Sequence, residues 1–142
     1  MSNTLKMTFH VEARRVDAHG SVARCKNAEI ALDTDLAGNP GAFNPAELLL
    51  AALAACIIKG IERVTPMLEI SLRGVEVKVV GVRQDSPPRM ESILYEIIVD
   101  TDESDHRLEL LHTNVKKFGT VFNTVAPGTS INGVLRRKEA QP

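Results

Sequence analysis

Cys56 and Cys25 are the residues whose chemistry could matter most in this chain, and Cys56 has the more unusual setting. It lies in an unbroken apolar run from Leu48 to Ile58. A thiol in such a run is either an inert core residue or a shielded nucleophile, because free cysteine is often buried and yet reacts as a thiolate. Cys56 is therefore the candidate catalytic residue, and a packing role is the alternative.

A reactive Cys56 would need positive charge nearby, since a cation lowers the pKa of a thiol. The residue lies twelve positions after Asn44. That is roughly 18 Å along a helix, too far for the helix N-terminus to help. Lys59 and Arg63 fall on the same helical face as Cys56 and are the local candidates. They are also explained as cations that face water near the end of the helix, where the dipole favours them.

Cys25 is the second candidate thiol, and it lies between two cations, Arg24 and Lys26. It could resolve a sulfenic acid on Cys56 if the fold brings the two Cα atoms within about 7 Å. The alternative is an isolated strand cysteine with no partner.

The four histidines do not have the spacing of metal ligands. His106 and His112, for example, lie six residues apart and face opposite sides of a helix. The sequence also contains no Cys-x-x-Cys motif and no glycine-rich phosphate loop. We therefore expect neither a metal nor a cofactor.

The composition is that of an ordinary globular chain. Its length of 142 residues predicts a single domain over residues 1–142. A net charge of −1 excludes a broad polyanion-binding surface, so nucleic acid is not an expected partner. The two cysteines and the polar N-terminus favour a cytoplasmic location. The apolar run is shorter than the roughly 18 to 20 residues that span a bilayer, so no membrane partner is expected.

The apolar run belongs to a helix that we predict from residue 45 to 64. Asn44 is a suitable N-cap, Pro45 suits the first helical position, and Glu47 is placed to complete a capping box. Pro66 predicts the end of the helix. Because Glu47 lies about 180° around the helix from Cys56, we attribute it to capping, although a role across a dimer stays open.

Alternating polar and apolar residues predict the strands. The predicted strands cover residues 5–13, 21–24, 29–32, 68–79, 93–99 and 131–137. The first three form an antiparallel meander with a turn at residues 17–20, followed by a loop at residues 33–43. The next two form a hairpin around a loop at residues 83–89. The alternation changes parity at Gly74, which predicts a β-bulge there.

A second helix is predicted from about residue 104 to 118, because Leu108, Leu111 and Val115 recur at three- and four-residue steps. Gly119 is its expected C-terminal stop. The order of elements is then βββ-α-ββ-α-β, an α+β fold. The first helix is apolar on every side over three turns, so something besides one sheet must cover it. A homodimer would explain this, and so would a deeply buried helix in a monomer.

The run from Asn44 to Cys56, with the sequence NPAELLLAALAAC, resembles the OsmC/Ohr family when it is combined with this order of elements. The resemblance implies an OsmC-like fold in an intertwined homodimer, with long central helices buried between sheets from both subunits. It also implies dithiol-dependent reduction of organic hydroperoxides, with Cys56 as the peroxidatic cysteine.

The sequence departs from the family pattern at two positions. Gly119 stands where the resolving cysteine is expected, and Ala46 stands where the family has an acid. The N-terminal arginine of the family could be Arg15 or Arg24. We therefore expect one-cysteine chemistry at Cys56 at most, with an organic hydroperoxide as substrate and an external thiol or dithiol as reductant. The alternative is a non-catalytic homodimer that binds a small apolar ligand at its interface.

Overall fold

A computed structural model describes residues 6–139 of the chain, which divides into two compact units, one up to Leu48 and one from Leu49 onward. The elements are β1 (Glu12–Asp17), β2 (Gly20–Cys25), β3 (Ala28–Leu32), α1 (Pro45–Leu68), β4 (Gly74–Gln84), β5 (Arg89–Asp100), α2 (Asp105–Phe118), α3 (Thr120–Val125) and β6 (Ser130–Arg137). The predicted α+β order is confirmed, with α3 as an additional helix that was not predicted. Within residues 6–139, no helix is both long and apolar enough to cross a membrane.

The first unit contains the predicted three-stranded meander, in which β2 lies between β1 and β3 and pairs antiparallel with both. The turn between β1 and β2 is held by Asp17, whose Oδ1 accepts the His19 N–H at 2.8 Å. Lys26 adopts a positive φ of 55° in the tight turn between β2 and β3. The meander and its first turn are therefore confirmed.

The predicted first strand, residues 5–13, is largely wrong, because β1 begins only at Glu12. Glu12 pairs with Arg24, and one residue later β2 ends and the chain turns into β3. A strand needs a neighbour for its ladder hydrogen bonds. In the part of the chain that the structure describes, the residues before Val11 have no such neighbour. Met7, Phe9 and Val11 are 78%, 74% and 67% exposed. Leu5 lies outside the described residues.

The helix α1 begins with the predicted capping box. The Asn44 Oδ1 accepts the Glu47 N–H at 2.8 Å, and the Glu47 Oε1 accepts the Asn44 N–H at 3.0 Å. These two bonds satisfy backbone donors that have no partner inside the helix. The first turn is therefore fixed by the residue types that predicted it.

The predicted end of α1 at residue 64 is wrong, because the helix continues through Pro66 to Leu68. It ends in a Schellman motif, in which the Ile70 N–H donates to the Thr65 carbonyl at 2.9 Å and the Glu69 N–H donates to the Pro66 carbonyl at 3.3 Å. Glu69 takes the left-handed conformation of this motif, with φ at 54°. The motif supplies hydrogen-bond donors to the carbonyls of the final turn. A proline in that turn therefore removes one intrahelical bond without ending the helix.

The second unit contains a sheet in the order β4-β5-β6. The predicted hairpin is confirmed, and β6 pairs parallel with β5 after a crossover through α2 and α3. The predicted start of β4 at Leu68 and the bulge at Gly74 are wrong. β4 begins at Gly74, and the ladder becomes irregular only between Val82 and Arg83. The alternating apolar residues between positions 68 and 72 instead belong to the end of α1 and to the loop that follows it.

The core of the second unit lies between the sheet and the two long helices. Its buried side chains include Leu53, Ile57, Ile61 and Val64 of α1, Ile93, Tyr95, Ile97 and Val99 of β5, and Leu108, Leu111 and Val115 of α2. Gly60 lets α1 and α2 approach closely, since a Cβ there would lie 3.2 Å from Val115 Cγ1. Burial of each large aliphatic side chain contributes about 1.5–3 kcal/mol. The predicted helix at residues 104–118 is confirmed.

One side of α1 remains exposed within a single chain. Ala52, Ala55 and Ile58 recur at three-residue steps on this side, within about 120° of the helix surface, and all three are exposed. We call these three residues the apolar flank of α1. A flank of this kind is unusual for a surface helix, whose solvent side is ordinarily polar.

Candidate functional site

The candidate site is centred on Cys56, a free thiol that is half-buried on α1. It lies beside the stripe of α1 that packs into the core, next to Leu53 and Gly60 on the helix surface. The side chain is therefore neither fully enclosed by the core nor openly exposed. A half-buried thiol can be both shielded and reached, as a nucleophilic cysteine requires.

Gly119 lies directly against the Cys56 thiol. A Cβ at Gly119 would be 3.1 Å from Cys56 Sγ. In a disulfide, bond lengths and angles place each sulfur about 3.0 Å from the Cβ of its partner. The structure therefore brings Cys56 together with the position from which a second cysteine could bond to it.

Gly119 ends α2 as predicted, but in an unexpected conformation. Its φ of −79° and ψ of 116° are extended rather than left-handed, and α3 begins at the next residue. Any residue type can adopt these angles. The space for a side chain at Gly119 is therefore limited by the close approach of Cys56 and Phe122 and not by its backbone angles.

The structure places the candidate cations of α1 at its surface. Lys59 and Arg63 are exposed, and neither makes a salt bridge or a side-chain hydrogen bond among residues 6–139. The two arginine candidates lie in the first unit. Arg24 pairs with Glu29 at 3.0 Å, and Arg15 is exposed on β1. Which arginine accompanies the thiol stays a prediction.

Cys25 is a half-buried free thiol at the end of β2, where it pairs with Ala28. It belongs to the unit that ends at Leu48, whereas Cys56 belongs to the unit that follows. A resolving role for Cys25 therefore stays a prediction.

Tyr95, His112 and Phe122 form an aromatic cluster that the sequence analysis missed. The Tyr95 hydroxyl lies 2.6 Å from His112 Nε2. The Tyr95 ring also meets the Phe122 ring edge to face, with centroids 6.4 Å apart. A signal was present in the sequence, because Tyr95 is the only tyrosine and shares the apolar parity of β5. A buried tyrosine hydroxyl ordinarily needs a polar partner.

Both titratable groups of this cluster favour their neutral forms. Burial raises the pKa of Tyr95. Burial also lowers the pKa of His112, and the charge of Lys116 lowers it further. At neutral pH the Tyr95 O–H therefore donates to an unprotonated Nε2, which places the imidazole proton on Nδ1.

Two other charged groups are explained by the local structure. His19 Nδ1 lies 2.9 Å from Asp35 Oδ2, which joins the first turn to the following loop. Arg73 bridges Asp100 and Asp102 and so joins the start of β4 to the end of β5. Among residues 6–139, no group of three or more histidine, cysteine or carboxylate side chains could hold a metal ion.

Comparisons with known proteins agree on one family. A sequence model of the family described as OsmC-like protein matches residues 38–133. The chain is similar in structure to an OsmC-like protein from Mycoplasma pneumoniae, with a TM-score of 0.86 and 19% identity over 95% of this chain and 100% of that one. No curated protein matches the sequence at a significant level.

Two further similar structures carry functional names. One is an organic hydroperoxide resistance protein OsmC from Legionella pneumophila, with a TM-score of 0.68 and 18% identity over 92% of this chain and 98% of that one. The other is the organic hydroperoxide resistance protein OhrB of Bacillus subtilis, with a TM-score of 0.63 and 19% identity over the same shares. At such identities the likeness shows the fold alone.

Proposed function

This chain belongs to the OsmC family, and from that premise we propose that it reduces organic hydroperoxides, with Cys56 as the reacting thiol and an external thiol or dithiol as reductant. The relatives from Legionella pneumophila and Bacillus subtilis are named for organic hydroperoxide resistance, which supports this reaction class. The observation that carries the proposal is the position of Cys56, half-buried and directly opposite Gly119.

The first step oxidises the thiol. The Cys56 thiolate attacks the terminal oxygen of R–O–O–H, the O–O bond breaks, and an S–O bond forms. Cys56 becomes a sulfenic acid, and the alkoxide leaves and takes a proton to give R–OH. Lys59 and Arg63, exposed on the same face of α1 as Cys56, are the candidate cations of the site.

The second step needs a thiol from outside the chain, because Gly119 has no sulfur. An external thiol attacks the sulfenic sulfur and releases water, which leaves a mixed disulfide on Cys56. A second thiol attacks that disulfide and restores Cys56. In total, one hydroperoxide and two thiols give one alcohol, one water and one disulfide. A cytoplasmic location suits this cycle, because thiols are kept reduced there.

A homodimer completes the proposal. The apolar flank of α1 is exposed in one chain and adjoins Cys56 along the helix, since Ala52 and Ala55 lie four residues and one residue before it. A second copy of the chain that covers this flank would shield the thiol from bulk water. Burial of such a flank is favourable, because apolar surface leaves water.

The proposal is tested by the consumption of cumene hydroperoxide in the presence of dithiothreitol. Cys56→Ser should lower the rate by about 100-fold or more, because the covalent step is lost. Cys25→Ser, the matched control, should keep most of the wild-type rate. If Cys56→Ser consumes the hydroperoxide as fast as wild type, the proposal is wrong. That result favours a non-catalytic protein that binds a small apolar ligand and uses Cys56 only for packing.

A further inference from the structure

The end of α2 lies against α1 at two close contacts. A Cβ on Gly119 would lie 3.1 Å from Cys56 Sγ, and a Cβ on Gly60 would lie 3.2 Å from Val115 Cγ1. Gly60 follows Cys56 by about one turn of α1, and Val115 precedes Gly119 by about one turn of α2. The charged side chains next to these contacts therefore form the electrostatic surroundings of the thiol.

Three cations lie next to these contacts, and we call Arg63, Lys116 and Lys117 the cationic rim of the site. Arg63 follows Cys56 by about two turns and lies about 20° around α1 from it. Its side chain leans back towards the thiol, because helical side chains tilt towards the N-terminus. Lys116 and Lys117 belong to the last turn of α2. All three are exposed, and none makes a salt bridge among residues 6–139.

Carboxylates are scarce around the cationic rim. The sequence of α3 contains none, and that of α2 contains none after Glu109. Glu62 is the only acid of α1 beyond Cys56, and it lies about 120° around the helix from the thiol. Lys59 lies about 60° from Cys56 on the side of the apolar flank, where a second copy of the chain would cover it. The rim is therefore a local excess of positive charge in a chain with a net charge of −1.

This positive charge bears on the reductant rather than on the hydroperoxide, because R–O–O–H is neutral. In the proposed cycle, one thiol attacks the sulfenic sulfur of Cys56 and releases water. A second thiol then attacks the mixed disulfide, restores the Cys56 thiol and leaves with the first as a symmetrical disulfide. If the thiol carries a carboxylate, the molecule already attached repels the one that follows. Cations beside the sulfur offset that repulsion.

We propose that the reductant of Cys56 is a low-molecular-weight thiol that carries a carboxylate, and that Arg63, Lys116 and Lys117 attract it to the sulfur. The inference rests on the proposed function and names the class of its second substrate. Cations gathered on one side of a site raise the local concentration of an anionic substrate, and salt screens this effect. A monothiol is sufficient, because two molecules of it complete the cycle.

Thiol–disulfide exchange tests the inference without any peroxide. In a Cys25→Ser background, Cys56 is converted to a mixed disulfide with 2,2′-dithiodipyridine, and the release of pyridine-2-thione is followed. The attacking thiols are 3-mercaptopropionate, 2-mercaptoethanol and cysteamine, which are anionic, neutral and cationic. Lys116→Gln/Lys117→Gln should slow 3-mercaptopropionate by about 5-fold or more, change 2-mercaptoethanol by less than about 2-fold and accelerate cysteamine. Each thiol is compared with itself across variants, so its intrinsic reactivity cancels.

The matched control is Lys78→Gln/Lys138→Gln, which removes two exposed lysines of the same unit that lie outside the cationic rim. It should leave all three exchange rates near those of the unsubstituted rim. Added sodium chloride should slow 3-mercaptopropionate and accelerate cysteamine while the rim is intact. Unchanged exchange with 3-mercaptopropionate in Lys116→Gln/Lys117→Gln, or an equal change for all three thiols, overturns the inference. It is also overturned if 2,2′-dithiodipyridine does not label Cys56 in the native protein, because no external thiol then reaches the sulfur.

The same three thiols are then compared as reductants in the consumption of cumene hydroperoxide. The KM for 3-mercaptopropionate should be several-fold higher in Lys116→Gln/Lys117→Gln than with the rim intact. If no thiol supports hydroperoxide consumption but the exchange rates keep their dependence on charge, the proposed function fails and the anionic-thiol site stands. If hydroperoxide is consumed and neither measurement depends on the charge of the thiol, the proposed function stands and this inference fails.

Discussion

Gly119 limits the chemistry that Cys56 can perform. Its missing Cβ would lie 3.1 Å from the thiol, a distance that fits a disulfide, but the residue supplies no sulfur. Any residue type can adopt its backbone angles. The absence of a sulfur at this position therefore follows from this one side chain and not from the shape of the surrounding backbone.

The first prediction at the residue scale is that Gly119→Cys forms a disulfide with Cys56. In a Cys25→Ser background, the titratable thiols of the native variant should fall from two to none after mild oxidation. The bond should stabilise the protein by about 4 kcal/mol in the loop-entropy account, less any strain. Gly119→Ser is the control, because it fills the same space without a sulfur. Two thiols that still titrate after oxidation would contradict this geometry.

The second residue-scale prediction concerns pH. Burial and Lys116 hold the pKa of His112 below its ordinary value of 6.5. Between about pH 6.5 and the lower folded pKa, the unfolded chain binds a proton that the folded protein does not, so the free energy of unfolding falls as the pH falls. Urea unfolding from pH 7.5 downward should show this loss in wild type. If the free energy of unfolding falls equally steeply with pH in His112→Leu, the loss does not come from His112.

At the scale of elements, α1 is the scaffold of the site, and its start is fixed by two reciprocal hydrogen bonds between Asn44 and Glu47. Asn44→Ala should lower the free energy of unfolding by about 1 kcal/mol, because a backbone donor loses its partner. Glu47→Gln should be nearly neutral in both stability and peroxidase rate, because glutamine can also complete the box. Loss of activity in Glu47→Gln would show that the carboxylate has a chemical role.

Local sequence signals predicted the elements wherever local side-chain contacts decide them. The α1 cap at Asn44 is of this kind. The predictions failed where a distant partner, or a backbone motif that no side chain marks, decides the outcome. Alternation before Glu12 indicated a strand, but no strand lies beside those residues within the described chain. The end of α1 depends on a backbone motif around Glu69 that no residue type announced.

The site was predicted to a similar extent. The motif that ends at Cys56 indicated the thiol and, by resemblance, the position of Gly119, and the structure brings these two residues together. The aromatic cluster could not be predicted in the same way. Tyr95, His112 and Phe122 lie on three different elements, and no periodicity connects them.

At the scale of the whole molecule, the exposed apolar flank of α1 predicts self-association. Light scattering after gel filtration should give a mass twice that of one chain. Ile58→Glu, at the C-terminal end of the flank, should shift the protein towards the monomer, because it would bury a charge without a partner. Leu36→Glu, at a fully exposed loop position, is the control and should remain dimeric. A wild-type monomer would contradict the dimer.

The most direct test of the central claim is to trap the oxidised thiol. Reduced protein would be treated with one equivalent of cumene hydroperoxide in the presence of dimedone, and the modified peptide identified by mass spectrometry. A dimedone adduct is expected on Cys56 in wild type and in Cys25→Ser, and none in Cys56→Ser. Hydroperoxide that leaves Cys56 unmodified, or modifies Cys25 alone, would contradict it.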